Sequence, residues 1–319
     1  MSELTRLILR RILFAVGALL GASVLIFIGT NILPGDVAQA ILGQSATPEA
    51  LANLRRDLGL NEPAVTRYFN WLFSLLQGDL GHSLTNQQSI NDMLGGRLAN
   101  TFFLAAVVAV ITVPLALLLG LIAARYHDKL PDKILSFTTL AAISLPEFFI
   151  AYIFLLFFAV QLGWLPGLAK ISPQMNFWQQ LHAVLLPAST LTFVVLAHMM
   201  RMTRAAVLNV MSAPYIETAR LKGASLRSVI FRHALPNAIA PIVNVIVLNL
   251  AYLVVGVVVV EVIFVYPGLG QLMVDHVSKR DIPVVQACGL IFAATYILLN
   301  MAADIIAVAN DPKLRYPRT

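Results

Sequence analysis

Long apolar runs separated by shorter polar stretches dominate this sequence. A membrane-spanning helix needs roughly 20 apolar residues to cross about 30 Å of hydrocarbon. Six runs reach or nearly reach that length: 12–33, 101–124, 134–160, 183–200, 238–262 and 286–309. The fourth run is the weakest, because Pro187 and His198 lie within it. The pattern predicts an all-α integral membrane protein with six transmembrane helices.

The stretch between the first two runs, residues 34–100, is too long for a simple turn and carries helix signals of its own. Thr47-Pro48-Glu49 has the pattern of an N-cap, a proline at the first helical position and an acid in the first turn, and Gly59 would end that helix. A second helix is predicted from Pro63 to Gln77, with Tyr68, Trp71 and Leu75 on one face. This insertion is either a docking or gating element or a pair of amphipathic helices on the membrane surface.

The composition also favours a lipid environment. The 319 residues are 59% hydrophobic and 12% charged, whereas a soluble domain carries about twice that charged fraction. The net charge of +6 is better explained by cytoplasmic loops than by a surface that binds nucleic acid. Cys288 is the only cysteine, so an intrachain disulfide is excluded.

The distribution of basic residues predicts the orientation. With the N-terminus inside, 15 of the 22 Lys and Arg residues fall in cytoplasmic segments, which is the bias that opposes their translocation. Both termini are therefore expected in the cytoplasm. The predicted organisation is a first transmembrane helix within 1–33, an extracytoplasmic helical insertion in 34–100, a core of five transmembrane helices in 101–309, and a cytoplasmic tail in 310–319.

The longest predicted inside loop, residues 201–237, contains the most specific local pattern. A short helix is predicted to begin at Pro214 and to end at Gly223 in the left-handed conformation. Glu217 near its start and Lys222 near its end both suit the helix dipole. A second helix then leads into the fifth span. By composition alone, the loop could simply be a basic segment held at the anionic leaflet.

Several motifs in this order resemble one transporter family. Glu217-Thr218-Ala219, with Gly223 four residues later and Pro236 thirteen after that, resembles the EAA motif of permease subunits of binding-protein-dependent ABC importers. The wider sequence is similar to the first permease subunit of the dipeptide, oligopeptide and nickel branch. The further matching segments are Leu33–Asp36, Arg55–Leu60, Gly78–Ser83, Glu261–Phe264, Pro267–Gly270, Arg280–Pro283 and Asn310–Arg315. Leu221, Pro236 and Ile282 depart from this branch, which leaves the solute open.

The resemblance implies a type I ABC importer permease fold in the bacterial inner membrane and a defined set of partners. These are a homologous permease subunit that forms a heterodimer with this chain, two ATPase subunits or domains, an extracytoplasmic substrate-binding protein and the membrane lipid, with no nucleic acid. In this family the short loop helix inserts into a cleft on the ATPase. The coupling residues carried over are Glu217, Thr218, Ala219, Arg220, Lys222 and Gly223. Peptides, glutathione-like molecules, nickel chelates and some oligosaccharides all remain possible solutes.

Polar residues inside the spans are candidates for the pathway. Asn249, Tyr252 and Gly256 have the spacing of one helix face, and the resemblance implies that this helix lines the pathway; helix–helix packing is the alternative. Glu261 is either part of an outer gate or a solvated interfacial carboxylate. Pro267 and Gly268 are expected to contribute to the same outer closure.

Glu147 follows Pro146, which disfavours helical geometry at Leu145 and so predicts a helix break there. The Glu147 carboxylate then either stabilises the first turn of the next half-helix or contacts solute.

An ion-coupled secondary transporter is the alternative function, with Glu147 as its candidate titratable group. No Gly is followed by Lys, so the sequence lacks a Gly-Lys-Ser/Thr phosphate loop. We therefore expect a non-catalytic subunit without a cofactor or metal of its own, and ATP with Mg on partner subunits. The scattered histidines do not have metal-ligand spacing.

Overall fold

Long α-helices make up most of the chain, as the apolar runs predict. The computed structural model describes residues 3–32, 37–42, 46–57, 59–172, 174–225 and 228–310. The Leu33–Asp36 motif and residues 311–319 of the predicted tail lie outside this part. The described α-helices are α1 Glu3–Ile32, α2 Val37–Leu42, α3 Pro48–Asp57, α4 Ala64–Leu76, α5 Ile90–Arg125, α6 Leu130–Ser144, α7 Glu147–Phe154, α8 Phe177–Met211, α9 Pro214–Leu221, α10 Leu235–Ile263, α11 Leu269–Ser278 and α12 Ile282–Asn310. Two π-helical segments, Leu155–Gln161 and Val229–Ala234, continue α7 and lead into α10.

Five described helices are long and apolar enough to cross a membrane, namely α1, α5, α8, α10 and α12. The third apolar run is a bent pair instead: Leu130–Ser144 and Glu147–Gln161 meet at 101°. The break falls at Leu145, whose ψ of 134° is extended, as the following proline requires. Counting that pair as one broken span gives the predicted six.

Two predicted boundaries are corrected. Helix α5 begins at Ile90, so the last residues of the predicted 34–100 insertion belong to the second spanning helix. Helix α8 continues to Met211, so residues 201–211 are helical rather than loop. The sequence prediction ended this helix before Arg201. In the structure the helix continues, and Arg204 on its side donates two hydrogen bonds to Asp132, at 2.6 and 2.7 Å.

The chain divides into two compact units. The first consists of Met1–Ala15, Phe102–Tyr266 and Thr295–Thr319, and the second of Val16–Thr101 and Pro267–Ala294. In the first unit α8 is central and packs against α6, α7 and α10. Its apolar window is 67% buried, so the proline that weakened the prediction lies within protein rather than in lipid. A Cβ added at Gly120 of α5 would lie 2.8 Å from Thr203 Cγ2, so the small residue allows α5 to approach α8 closely.

The second unit contains the helical insertion. The face of α4 predicted from Tyr68 and Trp71 packs against α1, with ring centroids 5.3 and 6.0 Å from that of Phe27. Predicted caps are also present: Thr47 Oγ1 accepts a bond from Ala50 N at 3.3 Å, and Gly59 has a φ of +63°. The opposite face of α4 leaves four large apolar side chains exposed: Val65, Phe69, Phe73 and Leu76.

A buried carboxylate connects two motifs that are distant in sequence within this second unit. Asp281 is fully buried and accepts hydrogen bonds from Leu84 N at 3.0 Å and Thr85 Oγ1 at 2.9 Å, as well as from the Ser83 hydroxyl. These donors satisfy a charge that would otherwise be costly to bury. The Gly78–Ser83 and Arg280–Pro283 motifs therefore meet at a structural connection.

Candidate functional site

Helix α9 has the ends that its sequence predicts. Pro214 is its first residue, Glu217 lies in its first turn, and the Thr218 hydroxyl donates to Pro214 O at 3.1 Å. Gly223 follows with a φ of +83°, and Ala224 N donates to Ala219 O at 3.2 Å. This is the left-handed glycine termination expected at a helix C-terminus.

The outer face of α9 has no cover within the described chain. Glu217, Thr218, Lys222 and Gly223 are exposed, and Leu221 is 83% exposed. Ala219 is half-buried, and the side chain of Arg220 lies outside the described part. The exposed Leu221 side chain, next to the glycine at the helix end, is an apolar surface that nothing in the described chain covers. Such a surface suits docking against another protein.

The inner face of α9 is anchored by a side chain that the sequence analysis did not single out. Ile216 is fully buried and packs with Val229 and Ala234 of the π-helical segment. That segment continues directly into α10 at Leu235. Ile216 therefore connects α9 to the segment that leads into a spanning helix. The available signal was the aliphatic side chain of Ile216, next to the polar Glu217 and Thr218 in this short helix.

A buried ion pair ties α6 to α8. Asp132 is 2% exposed and receives both hydrogen bonds from Arg204 described above. His127, Asp128 and Asp132 also bring their ligand atoms within 4.8 Å of one another, which is the arrangement of a candidate metal site. Because both Asp132 oxygens already accept from the guanidinium, we assign this cluster a structural role.

The three predicted pathway residues of α10 do not share one environment. Asn249 is buried, and its Nδ2 donates to Val245 O at 2.8 Å within the same helix. Its Nδ2 also lies 3.9 Å from Met202 Sδ of α8. Tyr252 is 55% exposed, and Gly256 is half-buried. Asn249 thus lies in a buried position that agrees with packing, while Tyr252 and Gly256 remain at an accessible face.

Glu261 and the end of α10 form a tightly packed corner. Glu261 is fully buried, so the alternative of a solvated interfacial carboxylate is wrong. Tyr266 N donates to Glu261 O at 2.8 Å and terminates the helix. Val265 has a φ of +51°, a conformation that is strained for a β-branched side chain.

Pro267 and Gly268 lead into the next short helix, α11, and Gly268 is its N-cap. Within the second unit, Pro267 O accepts from Asn100 Nδ2 at 2.9 Å, and Leu269 N donates to Thr101 Oγ1 at 2.8 Å. Two polar side chains of α5 therefore fix the turn. The sequence analysis found the turn but missed α11, because its ten residues lack the length of an apolar run.

Two polar residues of α12 also have structural partners. Asp304 forms an ion pair with Arg11 of α1, and Asn300 Nδ2 donates to Tyr296 O at 2.8 Å. These contacts agree with a packing role.

Two family models match the chain. The model of the inner membrane component of binding-protein-dependent transport systems matches residues 116–316, and the model of the N-terminal part of such membrane components matches residues 4–105. The chain belongs to this family. The first match includes α9 and α10, and the second includes the insertion between the first two spans.

Curated relatives resemble the chain over nearly its whole length. A glutathione transport system permease protein of Escherichia coli is 36% identical over 309 residues, which are 97% of this chain and 98% of the relative. A probable peptide ABC transporter permease protein of Sinorhizobium fredii is 35% identical over 311 residues, 97% and 99% of the two chains. A putative peptide transport system permease protein of Brucella abortus is 36% identical over 313 residues, 98% and 100% of the two chains.

Family membership fixes the general role. The chain is a multi-pass inner-membrane protein and the permease subunit of an ABC importer. This role implies ATPase and substrate-binding partners. The relatives give no support to an ion-coupled transporter.

Proposed function

We propose that this permease pairs with a homologous permease and imports peptide-like solutes that an external binding protein delivers. The single observation that carries the solute class is the full-length similarity to permeases named for peptide and glutathione transport. The proposed heterodimer follows from the resemblance to the first of two permease subunits. Two ATPase subunits or domains bind ATP and Mg, and this chain is non-catalytic and binds no cofactor.

We propose further that α9 is the element through which the ATPases act. Support comes from its exposed outer face, its glycine termination at Gly223 and its buried anchor Ile216. Docking requires an accessible surface, whereas transmission of force requires a rigid connection to a spanning helix. Glu217, Thr218, Ala219, Lys222 and Gly223 supply the surface, and Arg220 belongs to the same helix. A basic loop that only attaches to lipid would not need the buried anchor.

Solute passage is proposed along α10, past Tyr252 and Gly256, with Glu261 in an outer closure. The buried position of Glu261 near the end of α10 supports this role, because a buried carboxylate in a membrane helix is costly to keep. Pro267 and Gly268 are proposed to contribute to the same closure. Asn249 is assigned to helix packing.

The orientation follows from the same proposal. Both termini and α9 lie in the cytoplasm, and the insertion of α2 to α4 lies outside, in agreement with the bias of basic residues. Single-cysteine labelling in a Cys288→Ser background tests it. An impermeant maleimide added to intact spheroplasts should label Asn61→Cys but not Lys222→Cys, while both should react after lysis. Labelling of Lys222→Cys from the outside would contradict the orientation.

A further inference from the structure

Glu147 lies at the break of the third span, and one of its carboxylate oxygens is buried without a hydrogen-bond partner among the described residues. It is the first residue of α7, directly after the extended Leu145 and Pro146. That carboxylate oxygen is Oε1. The helix start likewise has no side-chain cap bond. The capping role predicted as one alternative therefore leaves this oxygen unexplained, although a buried carboxylate oxygen without a partner is costly.

The other carboxylate oxygen faces a small gap on α10, against which α7 packs. A Cβ placed on Gly256 would lie 3.9 Å from Glu147 Oε2 and 3.9 Å from Tyr252 Cε1. The carboxylate and the aromatic ring thus border the same position, which the glycine leaves open. Tyr252 is 55% exposed, so the gap is accessible from outside the chain.

A carboxylate beside an aromatic ring is suited to bind an ammonium group. The carboxylate accepts charge-assisted hydrogen bonds from the ammonium, and the ring face attracts the same cation. A neutral or anionic group would gain little from this pair, and an anion would be repelled by Glu147. In an apolar segment both attractions are strengthened, because little water competes with them.

We propose that Glu147, together with the Tyr252 ring beside Gly256, binds the primary ammonium group of the transported solute. The chemical class is therefore a solute with a free amine, such as the amino terminus of a peptide. This inference rests on the proposed function, because it takes α10 as the wall of the pathway. It also gives the permease a specificity determinant separate from the binding protein.

The test is uptake by the complete transporter in proteoliposomes, with both permeases, the ATPases and the binding protein. The probes are a defined mixture of di- to tetrapeptides and the same mixture N-acetylated, quantified inside the vesicles by mass spectrometry. Glu147→Gln should lower the import of free-amine peptides about tenfold, as expected for loss of one hydrogen bond to a charge. Import of the acetylated set should not fall, so the ratio of the two should change.

Matched variants separate recognition from structure. Glu147→Asp should retain part of the discrimination, Tyr252→Phe should retain more of it than Tyr252→Leu, and Gly256→Ala should reduce it by filling the gap. Equal loss of both peptide sets in Glu147→Gln, or an unchanged ratio, would overturn the ammonium site. Loss of the second permease from the purified Glu147→Gln complex would overturn it as well, by assigning Glu147 to the subunit interface. Import of neither set by the wild-type transporter would instead contradict the proposed function itself.

Discussion

Substitution of Gly223 is a direct test of whether α9 docks against a partner, because within the chain it perturbs only the backbone conformation at the helix end. Its φ of +83° disfavours any Cβ, yet an added Cβ would meet nothing within 4 Å. Gly223→Ala should therefore cost about 1 kcal/mol from backbone geometry and nothing from internal clashes. That corresponds to roughly a fivefold shift against the native helix end. If Gly223→Ala costs more free energy than this, the excess must come from a partner that approaches the surface at Gly223.

Gly78 provides the matched control. It follows α4 with a φ of +80°, and an added Cβ there also meets nothing within 4 Å. Gly78→Ala should impose the same backbone cost at a place where we expect no ATPase. The two variants should lower the thermal stability of the purified complex equally. Only Gly223→Ala should reduce the ATPase retained on purification and the hydrolysis stimulated by loaded binding protein.

The comparison of Gly223→Ala with Gly78→Ala can also refute the docking role of α9. If Gly223→Ala and Gly78→Ala change ATPase retention and stimulated hydrolysis to the same extent, the surface at Gly223 has no close partner. The left-handed glycine would then serve only to end the helix, and the docking role of α9 would be refuted.

Three further changes test other parts of the account. Ile216→Ala removes the buried anchor of α9 and should cost about 2–5 kcal/mol locally, measured as faster hydrogen exchange of α9 amides; unchanged protection would show that Ile216 does not hold the helix. Val265→Gly relieves a left-handed β-branched residue and should stabilise the complex by about 1 kcal/mol; a lower melting temperature would contradict the assigned strain. Glu261→Gln keeps the volume of a fully buried side chain but removes its charge, so uptake should change while assembly stays intact; wild-type uptake would argue against a role in outer closure.

The pattern of the sequence was sufficient for the elements that depend on local signals. Apolar runs predicted the spanning helices, Pro146 predicted the break at Leu145, and glycines predicted the ends of α3 and α9. Each of these is set by residues within a turn or two of the feature itself. A structural feature can be predicted from local sequence when the contacts that stabilise it lie nearby in the chain.

Features that depend on distant partners could not be predicted in this way. The helical state of residues 201–211 involves Asp132, 72 residues before Arg204. The role of Asp281 requires Ser83, 198 residues away. The role of Ile216 requires the π-helical segment Val229–Ala234, which the sequence pattern does not predict. The unpartnered oxygen of Glu147 likewise becomes visible only when α7 packs against α10. Tertiary contacts, rather than local propensity, decide these positions.

Substitution of Glu217 tests most directly whether α9 transmits ATPase motion to the pore. Glu217 is exposed in the first turn of α9, where a negative charge is favoured and a positive one is not. The measurement is ATP hydrolysis stimulated by loaded binding protein, together with solute uptake, in proteoliposomes that carry wild type, Glu217→Gln or Glu217→Lys. We predict normal membrane insertion for all three, a partial loss of both activities for Glu217→Gln and a near-complete loss of both for Glu217→Lys. Wild-type hydrolysis and uptake by Glu217→Lys would contradict this prediction and would leave α9 as a membrane-attached basic loop.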